Sequence, residues 1–273
     1  MDKRISKSGF LIIGLYIVML LWWLTIFNRG IIDTTENYLF GGAIGVLTVI
    51  GGIVGLIKAK RWGGFRSSTG KSVIFLSTGL LTWAIGTLIF AYYNLFLDIA
   101  VPYPSLADVA YIVSWPLWTI GILYLSPAIG LKYQLKKMSG KVFLLIIPLV
   151  TIFLSYYLLF VIGRGGVIDL SGGSLKLFFD LAYPIGDIVI LSITALVYSL
   201  SFNYLGGFFK FPIIVIMLGF VLNYLADFSF SYTTTQETFD VANWNDLLFT
   251  TAMFVLSVGL SLFDPHLLNK TEK

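Results

Sequence analysis

The chain contains no cysteine and a single histidine, His266, which lies beyond the last apolar run. Disulfides, thiolate catalysis, iron–sulfur clusters and cysteine-ligated zinc are therefore excluded. One imidazole leaves no material for a histidine metal site, a haem pair or a catalytic triad. The phosphate-cradling G-x-x-x-x-G-K-[ST] run, the dinucleotide fingerprint G-x-G-x-x-G and the zinc motif H-E-x-x-H are absent as well. Charge is also scarce. Only 12% of the 273 residues are Asp, Glu, Lys or Arg, whereas a soluble domain carries about a quarter. An ordinary cytosolic enzyme, a nucleic-acid binder and a disordered chain are excluded on that ground.

What the chain has instead is apolar length. Hydrophobic residues make up 58% of it and the mean hydropathy is +0.90. Apolar runs fall at about Phe10–Phe27, Leu39–Ile57, Ser72–Leu97, Val109–Ile129, Val142–Ile162, Leu177–Phe202, Phe211–Tyr232 and Leu247–Phe263. Each is close to the roughly 20 residues that a helix needs to cross a bilayer. The runs are continuous rather than alternating, which argues against barrel strands. The first is followed by Asn28-Arg29-Gly30 without a small-residue cleavage site, so it reads as a retained anchor. The expected fold is all-α, a single membrane domain of eight transmembrane helices. Placing the N-terminus inside puts 15 of the 18 basic residues on the cytoplasmic side, leaving Arg29, Arg164 and Lys176 outside. An N-in, C-in multi-pass protein of the cell membrane follows.

Eleven of the 14 acidic residues then fall outside or in the outer half of the membrane. They show a repeat. Each outward-going span ends in aromatics (Trp22-Trp23, Tyr92-Tyr93, Tyr156-Tyr157, Phe230 with Tyr232), and each returning span starts near a carboxylate, Glu36, Asp108, Asp180 or Asp246. The carboxylates recur at separations of 72, 72 and 66 residues. The last three carry an aromatic three positions on: Tyr111, Tyr183 and Phe249. Four αα-hairpins are expected, at about 8–58, 72–130, 141–203 and 211–264. Residues at i and i+3 share a helix face, so each carboxylate is expected beside its own ring near the external surface. A ring of such pairs suits an organic cation or an aromatic small molecule. The competing reading is structural: a carboxylate at a helix start caps free N–H groups, and Tyr and Trp are ordinary interface residues.

Asp227 has no such simple explanation, since it lies inside the seventh span with Asn223 one turn before it on the same face. A charge there costs a few kcal/mol unless it is paired or hydrated; an interhelical clasp is the structural alternative. Asp187 sits about 15 Å deep if its helix starts at Leu177, and near the interface if the regular helix starts at Pro184. The second reading is favoured, because Ile185–Phe202 is long enough by itself. Pro116, between Trp115 and Trp118, should bend the fourth span. Gly41, Gly45, Gly51 and Gly55 form two G-x-x-x-G pairs suited to close helix contact. The basic segments Lys58–Arg66 and Lys132–Lys141 are expected to meet anionic lipid headgroups.

The stretch Pro102-Tyr-Pro-Ser-Leu-Ala-Asp-Val-Ala-Tyr-Ile-Val-Ser-Trp-Pro-Leu117 resembles the P-S-x-A-D-x-x-Y-x-x-x-x-P-L signature of integral-membrane sensor regions. Such regions often precede diguanylate cyclase (GGDEF) or histidine-kinase output domains in bacteria and archaea. Phe179-Asp-Leu-Ala-Tyr-Pro-Ile-Gly-Asp187 is similar to a second segment of that region. The resemblance covers the third to eighth spans and marks Ser105, Asp108, Tyr111, Pro116, Asp180, Tyr183 and Asp187. It implies sensing but no particular ligand. No output domain follows before Lys273, so a separate signalling partner is expected. The leading expectation is a non-enzymatic sensor or binding module without cofactor or metal. Its ligand would be held by Asp108, Tyr111, Trp115, Asp180, Tyr183, Asp187, Asn223, Asp227 and Asp246. A small cation- or proton-coupled transporter and a structural or assembly protein are the alternatives.

Overall fold

A computed structural model describes residues 6–125, 138–167, 173–201 and 209–267. It is helical throughout, with no strand among the described residues. The helices are α1 (Lys7–Arg29), α2 (Thr35–Arg61), α3 (Ser68–Tyr92), α4 (Leu106–Leu125), α5 (Met138–Ser155), α6 (Gly173–Ser201), α7 (Lys210–Thr235) and α8 (Trp244–Ser261). All eight lie in segments long and apolar enough to cross a membrane, as expected of a multi-pass membrane protein. Two of them continue as π-helical turns, α3 through Tyr93–Leu97 and α5 through Tyr156–Ile162.

The helix starts follow from local chemistry. Ser6, Thr34, Ser67 and Asn243 each accept a backbone N–H of the first turn they precede, and Thr34 forms a capping box with Asn37. These side chains satisfy N–H groups that have no partner inside the helix. Gly30 ends α1 in the left-handed conformation, φ +62°, which favours glycine.

Helix α2 packs against α1, α3 and α8; α3 lies between α2 and α4; α6 touches α4, α5 and α7; and α8 closes against α1, α2 and α7. Helix α5 sits at the periphery. Leu144, Leu145, Ile146, Leu149, Ile152 and Phe153 face outward, where only lipid chains would accept them. The glycines of α2 serve two neighbours. A Cβ at Gly45 or Gly52 would press on Leu88 or Leu81 of α3, while one at Gly51 or Gly55 would overlap Ser257 of α8 or Ser77 of α3. Helix α4 runs through Pro116 as one element. Its Trp118 is buried against Phe220 of α7, with the rings edge-on at 5.4 Å.

The end of the bundle that carries Ser6 and His266 is locked by an ion pair that the sequence reading did not anticipate. Lys58 Nζ lies 2.5 Å from Asp264 Oδ2, and both side chains are buried. Arg61 reaches Asp264 at 3.2 Å from a more exposed position. Trp62 donates its indole N–H to the Phe263 carbonyl, and Ser6 donates its hydroxyl to that of Ser261. Lys58 is therefore withdrawn from the lipid-facing group assigned to Lys58–Arg66, because its charge is spent inside the protein. Lys132, Lys136 and Lys137 lie outside the described residues, as do the termini with Asp2, Lys3, Arg4, Lys270, Glu272 and Lys273. Burial alone would raise the Asp264 carboxyl. Lys58, the His266 backbone N–H and Arg61 outweigh that and hold it below the ordinary carboxylate range.

Candidate functional site: a carboxyl and phenol network

At the opposite, distal end, α4 begins with a Ser-x-x-Asp box. Ser105 Oγ accepts the Ala107 N–H at 3.2 Å, and Asp108 Oδ2 accepts the Ser105 N–H at 2.7 Å. Capping thus occupies one oxygen of Asp108, as its position in the first turn predicts. The other oxygen, Oδ1, accepts the hydroxyl of Tyr183, from α6, at 2.7 Å. A second bond runs the other way: Tyr103, just before α4, donates to Asp180 Oδ1 on α6 at 2.8 Å. Each of the two segments therefore supplies a phenol to a carboxylate on the other. Asp180 also faces Arg164 at 3.2 Å and Lys176 at 3.6 Å. Partial desolvation, then the hydrogen bond to Asp180, raises the Tyr103 phenol above its ordinary value, which keeps it a donor.

Deeper in the bundle is a second group. Asp187 of α6 and Asp227 of α7 bring their carboxyl groups within reach of each other. Asn223 donates its amide to Asp227 Oδ2 at 2.7 Å. Asp246, in the first turn of α8, accepts the Ala242 N–H at 2.6 Å. Nearby, Asn245 donates to Thr233 Oγ1 at 2.8 Å and accepts from Ser229. Tyr111 lies within electrostatic reach of Asp108, Asp227 and Asp246, and Tyr183 within reach of Asp108 and Asp227. Their rings are held in aromatic contacts, Tyr111 against Trp83 at 5.5 Å and Tyr183 against Trp115 at 5.1 Å. Gly186 lets that second pair form, since a Cβ there would overlap the Trp115 ring.

The residues expected in a site are thus neighbours, though several are arranged differently from expectation. Asp180 does not cap a helix: α6 starts at Gly173, seven residues earlier, and Asp180 is held by bases instead. Pro184 does not begin a helix either. Because α6 runs straight through it, Asp187 stands near the middle of the helix at 4% exposure, not at the interface. A proline removes one N–H donor without stopping a helix whose neighbours hold it in place. The ring beside each outer carboxylate comes from the other segment rather than from i+3, Tyr183 of α6 for Asp108 and Tyr103 before α4 for Asp180, while packing turns Tyr111 toward Thr87, 3.2 Å away. Tyr103, Arg164 and Lys176 were missed, although the last two are among the three outer basic residues that the charge asymmetry had singled out. Glu36 stands apart, bound by Arg29 at 2.6 Å and by the Trp22 indole. The two best-formed cavities among the described residues are apolar, about 10 Å³ each, and lie deeper among Trp118, Ile216 and Phe220 or beside Thr194.

Fold and site together define a class: a multi-pass helical membrane protein with a carboxyl and phenol network between its helices. No protein-family model, no curated protein and no solved structure matches this chain.

Proposed function

We propose that this chain is a non-enzymatic sensor of the cell membrane, a ligand-binding module built of four repeated αα-hairpins with both termini in the cytoplasm. Its ligand is a small organic cation or aromatic amine that enters from the external, distal side. The observation that carries this reading is the exchange of phenols between α4 and α6, Tyr183 onto Asp108 and Tyr103 onto Asp180. These two bonds tie the helices together; Asp180 already has Arg164 and Lys176 beside it, and Asp108, with no ion pair among the described residues, is the anion that a cationic ligand seeks. The two best-formed cavities among the described residues lie elsewhere, so a ligand gains access by displacing a phenol, and the released hydroxyl no longer holds α4 to α6. Binding and helix separation are then one equilibrium, which is what a sensor requires. Basic loops at the cytoplasmic face would rest on anionic lipid, and a separate signalling protein would read the rearrangement.

The test is thermal unfolding of the full chain in detergent against a panel of quaternary ammonium ions and aryl amines. An active compound raises the melting temperature of the wild type, and Asp108→Asn removes that response. Tyr183→Phe removes the internal competitor. It lowers unliganded stability by about 1–2 kcal/mol and strengthens binding up to about tenfold. If both variants shift stability equally with and without every compound, the network is only scaffold and the sensor reading fails. Solute flux in proteoliposomes, lost in Asp227→Asn, would move the assignment to a transporter.

A further inference from the structure

The inner carboxyl pair has a charge problem that the outer pair does not. The ion pairs seen among the described residues go to Glu36, Asp180 and Asp264. None reaches Asp187 or Asp227. Two carboxyl groups brought this close hold one proton between them, since a carboxylate has no donor of its own. One negative charge then remains at the middle of the bundle, where an unpaired charge is expensive. Among the described residues, the groups that face the pair add no positive charge: Tyr224 of α7, which donates to Ser155 of α5 at 3.1 Å, and the phenols of Tyr183 and Tyr111. Asp108 and Asp246 lie just beyond those phenols and make the field more negative still.

A second observation points to what neutralises it. Asn223 is buried, at 3% exposure, and its amide is oriented by the bond to Asp227. Its carbonyl oxygen, on the same carboxamide, is fully buried and accepts no hydrogen bond. A buried carbonyl without a donor is costly, and this one belongs to a carboxamide bonded to Asp227, whose carboxyl meets that of Asp187, so that the three side chains offer the oxygen donors a hard cation takes. We propose that Asp187, Asp227 and the carbonyl of Asn223 form a binding site for a small monovalent metal cation of the sodium class, between α6 and α7. The cation cancels the residual charge and supplies the missing partner of Asn223. Asp227 keeps partial exposure, so the ion has an approach to the site, while Asp187 and Asn223 close it from within. A second proton on the pair competes with the ion, so binding weakens in acid.

The experiment uses the full chain in detergent and needs no organic ligand, so its outcome is independent of the sensor assignment. Melting is compared in equal concentrations of sodium, lithium, potassium and choline chloride, at neutral and mildly acidic pH. The wild type is expected to melt several degrees higher in sodium or lithium than in choline, with the gap narrowing in acid. Asn223→Leu and Asp227→Asn should abolish the gap, and Asp180→Asn should keep it. Should Asp227→Asn fail to fold, equilibrium binding of radiolabelled sodium to the wild type and to Asn223→Ala decides, with binding about tenfold weaker in the variant. Equal melting in all four salts overturns the proposal, including the case in which pH alone changes stability and the pair holds only protons. A sodium response that survives in Asn223→Leu overturns it as well.

Discussion

Single side chains in this protein earn their positions through partners rather than through burial. Asp264 is the clearest case, with Lys58 at 2.5 Å and Arg61 at 3.2 Å. Removing Lys58 as Lys58→Met leaves a buried carboxylate without its main cation and should cost about 3–5 kcal/mol. Removing Arg61, whose side chain is 43% exposed, should cost under about 1 kcal/mol. The pH dependence has a definite sign. The Asp264 carboxyl is held below its ordinary value in the folded protein, so its contribution is complete above about pH 4 and is lost as pH falls through the lowered value. Unfolding of wild type and Asp264→Asn, followed from neutral to strongly acidic pH, should converge in that window; a constant difference would show that the ion pair does not depend on this proton. None of this was legible from sequence. Lys58 looks like any other member of a basic loop until Asp264, far along the chain, is found beside it.

Helices meet here through small residues, and the quality of the fit is testable one contact at a time. Gly55 of α2 faces Ser77 of α3, whose hydroxyl is buried without a hydrogen-bond partner, and a Cβ added there would also come within 3.1 Å of Leu260 of α8. Gly55→Ala drives a methyl into that hydroxyl and should destabilise by about 1–3 kcal/mol. Ser77→Ala alone removes a dissatisfied polar group and should be neutral or stabilising by about 1 kcal/mol. The double variant should recover most of the loss, a coupling that unfolding in mixed detergent can measure. At Gly51 the same repair fails, because a Cβ there also overlaps Ser257 Cβ, which Ser257→Ala retains. The two G-x-x-x-G pairs were readable as a packing signal. Which neighbour each glycine serves was not, because α2 touches three helices and its sequence does not say which face turns to which.

For the molecule as a whole, the two ends of the bundle differ in how they hold charge. The end that carries Ser6 and His266 closes on one buried ion pair and an indole, whereas the distal end closes on phenols and carboxyls. The absence of cysteine makes the proposed orientation directly checkable. Single variants Lys60→Cys, at the first of these ends, and Glu237→Cys, at the distal end, should react with a membrane-impermeant maleimide from opposite sides. Intact cells should label Glu237→Cys alone, and labelling of Lys60→Cys from outside would invert the topology.

The amino-acid sequence by itself determined the membrane class, the eight spans and several helix starts. These are local properties. A run of about 20 apolar residues seeks lipid whatever its neighbours are, and Ser105 with Asp108 caps a helix from three positions away. Only the tertiary structure decided which carboxylates have cations, why Asp180 is paired while Asp187 is not, and where the rings of Tyr111 and Tyr183 point. Those outcomes depend on the order and rotation of helices around the bundle, and on contacts such as Tyr183 with Asp108, 75 positions apart. Nothing in the pattern of either segment encodes that meeting.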